Sequence, residues 1–235
     1  MDKILNRIDR NDFIFDSGIH TFINPYSYVL LRNFDKIDHL DKVYVDGASA
    51  VFFLRKLGFK IQRKSFDMTS LAPEVFIWCI ENNKTISFIG SKEHELRLTL
   101  DFLSDQFPDL KIIYSHHGYI MGNESIKKRV INELSNLNPD VVIVGMGTLL
   151  QEEFLVDLKM AGWKGLGFTC GGFIHQTSRS GLKYYPDFFN KYNLRWLYRI
   201  FDEPKLLTRY LIDYPKFVFY IYYDFYHLKK KLKKY

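Results

Sequence analysis

Residues 142–154 read Val-Ile-Val-Gly-Met-Gly-Thr-Leu-Leu-Gln-Glu-Glu-Phe. The β-branched run Val141–Val144 predicts a strand. It stops at the turn Gly145-Met146-Gly147, and Leu150–Ala161 then carries apolar residues at helical spacing. The same succession recurs upstream. Val43–Val45 predicts a strand ending at Asp46-Gly47, and Ser49–Leu57 a helix closed by Gly58. Leu71–Glu81 reads as a helix with Pro73 in its first turn, where proline is tolerated. Thr85–Ile89 reads as a strand ending at Gly90-Ser91, Glu93–Phe107 as a helix that stops before Pro108, and Lys111–Tyr114 as a strand. Ser125–Leu137 reads as a helix, and Gly165–Thr169 as a strand ending at Cys170-Gly171-Gly172. Short apolar strands alternating with helices predict an α/β fold, with a Rossmann-like, mostly parallel sheet flanked by helices.

Composition narrows the class. The chain has 235 residues, 47% apolar and 26% charged, which excludes a disordered, fibrous or polytopic membrane protein. Two cysteines, Cys79 and Cys170, exclude a disulfide scaffold and fit a reducing compartment. The first residues lack the apolar core of a secretory signal, so a cytoplasmic location is expected. The net charge of +6 is unevenly placed. Residues 1–182 hold 21 basic and 22 acidic side chains, whereas residues 183–235 hold 12 basic and 5 acidic. We therefore divide the chain into an α/β domain, 1–182, and a helical, basic and aromatic C-terminal appendage, 183–235. A neutral body argues against nucleic acid as a partner, and a basic aromatic end argues for an anionic surface.

That end has two parts. Leu194–Leu211 is helical in pattern and is divided by Pro204. From Lys216 to Tyr235, the apolar run Phe217–Tyr223 precedes five lysines in the last seven positions. The run is too short to span a bilayer. It suits either a peripheral helix with aromatics at the headgroup boundary or a core-docked helix with a solvated lysine tail.

In α/β sheets, ligands bind beyond the carboxyl ends of the strands. Three such ends carry suggestive residues. At Val45-Asp46-Gly47, the carboxylate is either a general base or a cap for the next helix. The turn at Gly145 and Gly147 exposes backbone N–H groups and a helix N-terminus, which attract phosphate; it matches neither the dinucleotide fingerprint nor a P-loop. Gln151 and Glu152 beside it are either sugar ligands or ordinary first-turn residues. Gly171 and Gly172 form the third turn. No Asp-x-Asp occurs, and adjacent His116 and His117 would point to opposite faces of a strand, so no metal is expected. Cys79, in an apolar helix, reads as buried and inert.

Six segments carry a family resemblance: His20–Asn24 (HTFIN), Val45–Gly47 (VDG), Gln62–Asp67 (QRKSFD), Val142–Phe154, Phe168–Phe173 (FTCGGF) and Asn193–Tyr210 (NLRWLYRIFDEPKLLTRY). Together they resemble the WecG/TagA/CpsF family of bacterial glycosyltransferases, from about Asp16 to Tyr214. The resemblance implies an inverting, metal-independent enzyme with no cofactor. Such an enzyme moves a sugar, N-acetylmannosamine-like or a related hexose, from a UDP-sugar to a polyprenyl-diphosphate-linked sugar in cell-surface polysaccharide or teichoic acid synthesis. It implies Asp46 as general base with Thr21 and Asn24 beside it. Gly47, Gly145, Gly147, Gln151, Glu152, Gly171 and Gly172 would line the donor pocket. Arg199, Lys205 and Arg209 would reach the acceptor diphosphate, as phosphate-pairing cations can. It also implies peripheral contact with the inner face of the cell membrane, through 214–235. The sequence departs from the family pattern at Ser65, Ile174-His175, Lys183–Pro186 and Leu206. A non-catalytic scaffold member of a polysaccharide assembly complex is the alternative, and homo-oligomerisation stays open.

Overall fold

The computed structural model describes residues 3–10, 13–181, 188–189, 195–202 and 206–232. Six parallel strands form one sheet: β1 (Gly18–Ile23), β2 (Lys42–Val45), β3 (Thr85–Gly90), β4 (Lys111–His116), β5 (Val141–Gly145) and β6 (Leu166–Thr169), in the order β2-β1-β6-β5-β3-β4. The central strand β5 is buried along its whole length, whereas edge strand β4 is exposed at every second residue. This is why Val-Val-Ile-Val is an unbroken apolar run and Lys-Ile-Ile-Tyr-Ser-His is not.

Alternation along each strand feeds two cores. Val142 and Val144 face one core with Phe154, Leu155 and Leu158 of helix α7 (Leu150–Met160). Val141 and Ile143 face the other with Leu96 and Leu103 of helix α5 (Glu93–Gln106). The helices following β3 and β5 thus lie on opposite faces.

Sequence-level boundaries hold within a few residues, with informative exceptions. Strand β4 runs on to His116, and the helix read from Ser49 spans Ala48–Lys56 (α3). Strand β1 and helices α2 (Pro25–Leu31) and α8 (Phe173–Ser180) lie where periodicity placed none. Helix α2 is set by its ends rather than by an apolar stripe. Pro25 opens it, and Asn24 and Ser27 cap one another, side chain to backbone N–H, at 3.0 and 2.8 Å.

The C-terminal helix, Tyr214–Leu232, begins earlier than Lys216 and is continuous with a π-turn at Arg209–Asp213. Phe217, Ile221, Asp224 and Leu228 are its buried stripe, and the three apolar members join the core containing β1, β2 and α2. One face is therefore core-docked. The opposite face leaves Phe219, Tyr222 and Tyr226 in solvent, with Lys229, Lys230 and Lys231 beyond them. The division at 182/183 and the break at Pro204 lie outside the described residues.

Candidate active site

Strand register assembles the site. Ile23 pairs with Val45, so Asn24 and Asp46, each one residue further on, emerge side by side. The Asp46 N–H donates to the Ile23 carbonyl at 2.8 Å. Val144 pairs with Thr169, which brings the turn after Gly145 beside Cys170-Gly171-Gly172. A cleft open to solvent results, lined on its polar side by Asn24, Asp46, Arg63, Asp67, Thr148 and Gln151.

Arg63 controls Asp46. Its Nε donates to the Asp46 carbonyl at 2.6 Å, and its Nη2 to Asp46 Oδ1 at 2.9 Å and to Ser65 Oγ at 3.0 Å. Ser65 in turn donates to Asp67 at 2.7 Å. One guanidinium thus fixes the carboxylate through both its backbone and its side chain, a geometry lysine does not provide. The Ser65 departure adds a hydroxyl to this network. Arg63 and Asp67 were absent from the sequence-level site, although Gln62–Asp67 was among the segments of resemblance. In the extended segment 60–65, Arg63 and Ser65 both reach the cleft.

A second network lies beneath the cleft. Thr21 is fully buried and donates to Glu152 Oε1 at 2.8 Å, while 2.9 Å separates its hydroxyl from that of Thr169. Gln151 Nε2 donates to Glu152 Oε1 at 3.1 Å, and the Leu149 N–H to Glu152 Oε2 at 2.7 Å. Gln151 Oε1 accepts from the Gly171 N–H at 3.2 Å. Burial pushes the Glu152 carboxyl above the usual carboxylate range, against the hydrogen bonds that favour its ionised form. Gln151 and Glu152 therefore do different things. Gln151 lines the cleft, whereas Glu152 points inward and clamps the glycine turn to β1. Adjacent helical residues diverge by about 100°, so the two side chains leave the helix in different directions. Thr21 likewise stands one hydrogen bond behind the lining, through Thr169.

The glycines also divide. Gly171 and Gly172 line the cleft. Gly147 is exposed at φ +85°. Gly145 is buried, and a Cβ there would meet Cys170 Sγ at 2.8 Å, so its role is close approach of two turns. A Cβ at Gly47 would meet Pro25 and Asn24, 3.0 and 3.2 Å away. Arg209 stacks its guanidinium 4.1 Å from the Tyr26 ring, two residues along from Asn24. Arg199 belongs to the helix Arg195–Asp202, and Lys205 lies outside the described residues. Leu206 is buried.

His175 accepts the place beside Glu95. Its Nδ1 lies 2.8 Å from Glu95 Oε1, and Ser91 also bonds this carboxylate. Strand β4 ends at His116, so strand alternation does not reach His117; the two rings sit 4.4 Å apart rather than on opposite faces. Among the described residues, no three His, Cys, Asp or Glu side chains converge as metal ligands. Cys79 is buried, and burial pushes its thiol up to about 12.

A parallel sheet with a held carboxylate, an amide and glycine turns gathered at the carboxyl ends of its strands has the layout of an α/β ligand-binding domain. The chain belongs to the glycosyl transferase WecG/TagA/CpsF family, whose profile matches residues 1–231, and it is a glycosyltransferase. It is 38% identical over 218 residues to the UDP-Gal:alpha-D-GlcNAc-diphosphoundecaprenol beta-1,4-galactosyltransferase of Shigella boydii, covering 91% of this chain and 89% of that one. It is 25% identical over 181 residues to the N-acetylglucosaminyldiphosphoundecaprenol N-acetyl-beta-D-mannosaminyltransferase of Bacillus spizizenii, covering 76% and 66%. The Bacillus subtilis enzyme of the same name is 23% identical over 201 residues, covering 83% and 75%. No helix among the described residues is long and apolar enough to cross a membrane.

Proposed function

We propose that this enzyme transfers a hexose from a UDP-sugar to a sugar carried on a polyprenyl diphosphate, with inversion and without a divalent metal, in cell-surface polysaccharide synthesis. The observation that carries the reading is Asp46, held by Arg63 at the cleft beside Gln151, Thr148 and the glycine turns. Asp46 accepts the proton of the acceptor hydroxyl. The hydroxyl oxygen bonds to the sugar C1 as the C1–O bond to the diphosphate breaks, and UDP departs from the opposite face. The relative from Shigella makes a β-linkage, which from an α-linked UDP-sugar requires such inversion. Galactose is the donor sugar we favour, because 38% identity to that galactosyltransferase exceeds the 25% and 23% to the mannosaminyltransferases.

The Arg209 guanidinium, stacked on Tyr26, is suited to the acceptor diphosphate, and Arg199 and Lys205 are proposed for the same role. The exposed aromatic and lysine face of the C-terminal helix rests on the inner surface of the cell membrane, where the acceptor is found.

The test is UDP release from a panel of UDP-sugars with a short-chain lipid-diphosphate-GlcNAc acceptor, in EDTA. Acceptor-dependent release is expected with UDP-galactose. Asp46→Asn is expected to lower kcat about 10²–10⁴-fold with UDP binding retained. Loss of release in EDTA, or full activity in the variant, overturns the corresponding part of the mechanism.

A further inference from the structure

A second groove lies beside the cleft, on the other side of segment 60–65. It is lined by Asp9, Arg10, Arg55, Phe59, Lys60, Ile61, Gln62 and Lys64. Four cations face one carboxylate there, and Asp9 is already engaged with Lys42 at 3.6 Å. Among the described residues, neither Arg10, Arg55 nor Lys60 has a carboxylate partner. Gathering like charges in a concave site is unfavourable without an anion to neutralise them.

Two of the cations are fixed. Arg10 stacks 4.7 Å from the Phe59 ring, and Arg55 Nε donates to the Ile61 carbonyl at 2.9 Å. The Arg55 η nitrogens make no hydrogen bond within the described chain. Fixed guanidiniums match phosphate oxygens better than they match a diffuse counterion atmosphere. The groove also adjoins the C-terminal helix. Phe59 packs against Phe225 at 5.9 Å, and Lys229 lies 4.7 Å above the same Phe225 ring. The next turns of that helix expose Phe219, Tyr222 and Tyr226. A phosphate seated here would therefore sit beside side chains suited to the boundary of acyl chains and headgroups.

We propose that the groove of Arg10, Arg55, Lys60 and Lys64 binds the headgroup phosphate of an anionic membrane lipid, and so sets the angle at which the enzyme lies on the membrane. This rests on the membrane reading given above. It adds a phosphate site on the body itself, separate from the lysine tail. Asp46 and Arg63 lie on the other side of the same segment, so a lipid held here would fix the cleft relative to the bilayer surface.

The test is sedimentation with phosphatidylcholine vesicles, with and without phosphatidylglycerol, using the full chain. Wild type is expected to bind only the anionic vesicles. R55Q/K60Q is expected to weaken that binding roughly thirtyfold, from the contribution of two cations near the surface. K92Q/R97Q, an equal charge change at the start of α5 across the sheet, is expected to weaken it less than about threefold. Lys60→Glu alone, at an exposed position, is expected to cost at least fivefold and guards against a folding defect in the double variant. Equal losses in R55Q/K60Q and K92Q/R97Q would overturn the groove while leaving membrane binding intact. No binding of wild type to anionic vesicles would overturn the membrane reading itself. Titration with inorganic phosphate separates the sources: tight binding of free phosphate, abolished in R55Q/K60Q without loss on vesicles, would overturn the assignment to lipid.

Discussion

Asp224→Asn is the most searching single change, because Asp224 is a fully buried carboxylate in an otherwise aromatic helix. It accepts from Tyr28 Oη at 2.8 Å, Arg32 Nε at 2.8 Å and Arg32 Nη2 at 2.9 Å. Arg32 is also nearly buried, and its guanidinium lies 4.4 Å from the Tyr220 ring and 5.6 Å from that of Tyr223. Burial and the neighbouring carboxylate push the Tyr28 hydroxyl well above its ordinary range, so it stays a donor. The amide keeps the volume of the carboxylate but removes the charge and turns one acceptor into a donor facing donors. Removing one partner of such a pair costs about 3–5 kcal/mol. For a chain of this size that is roughly 6–20 °C in Tm. Because the pair joins α2 to the C-terminal helix, the loss should show first as proteolysis after residue 206. The assay is thermal and urea unfolding of wild type, D224N, R32M and R32M/D224L. The double replacement is expected to recover most of the loss, since a packed apolar pair needs no desolvation. A cost below about 1 kcal/mol for D224N would refute the reasoning, since that is the magnitude of a solvated pair.

Three further outcomes are expected. His20 is fully buried among Phe13, Tyr44 and Phe168, neither ring nitrogen has a hydrogen-bond partner among the described residues, and burial lowers its pKa to about 4. The unfolded chain then binds the extra proton, so stability falls as pH drops from about 6.5 to about 4; His20→Phe should remove that dependence and add about 1–2 kcal/mol near pH 5 in urea melts. Burial would raise the Glu95 carboxyl, but bonds from Ser91, His175 and the Lys92 N–H outweigh it and hold it at about 2. Its stabilising contribution is present above about pH 4.5 and lost towards pH 2, so Glu95→Gln should cost about 1–2 kcal/mol at neutral pH and little at pH 2. Gly90→Ala would place a Cβ 2.5 Å from the Gly145 carbonyl, backbone that cannot move without breaking the β3–β5 pairing, and should lower stability by about 3 kcal/mol or more in the same melts.

Much of the fold was legible locally. Apolar runs such as Val141–Val144 are continuous because both faces of a central parallel strand are covered, and each run ends in a glycine turn that any window of the sequence displays. Strand β1 and helix α2 were less legible. Gly-Ile-His-Thr-Phe-Ile holds two polar side chains, buried only because neighbours enclose them, and α2 is specified by its cap. The tail allowed a docked or a surface helix, and the structure gives it both faces, one buried through Phe217, Ile221 and Leu228, the other exposed through Phe219 and Tyr226.

By itself the sequence determined the alternation of strands and helices, the glycine turns, the carboxylate at a strand end and the uneven charge, because each depends on residues adjacent in the chain. The tertiary structure alone decided the sheet order β2-β1-β6-β5-β3-β4, and with it which strand ends meet. It set Arg63 against Asp46, turned Glu152 under the cleft while leaving Gln151 in it, and buried Asp224 on Arg32. Those pairings join residues far apart in the chain, and the energy that selects them comes from desolvation and packing that exist only once the sheet has closed.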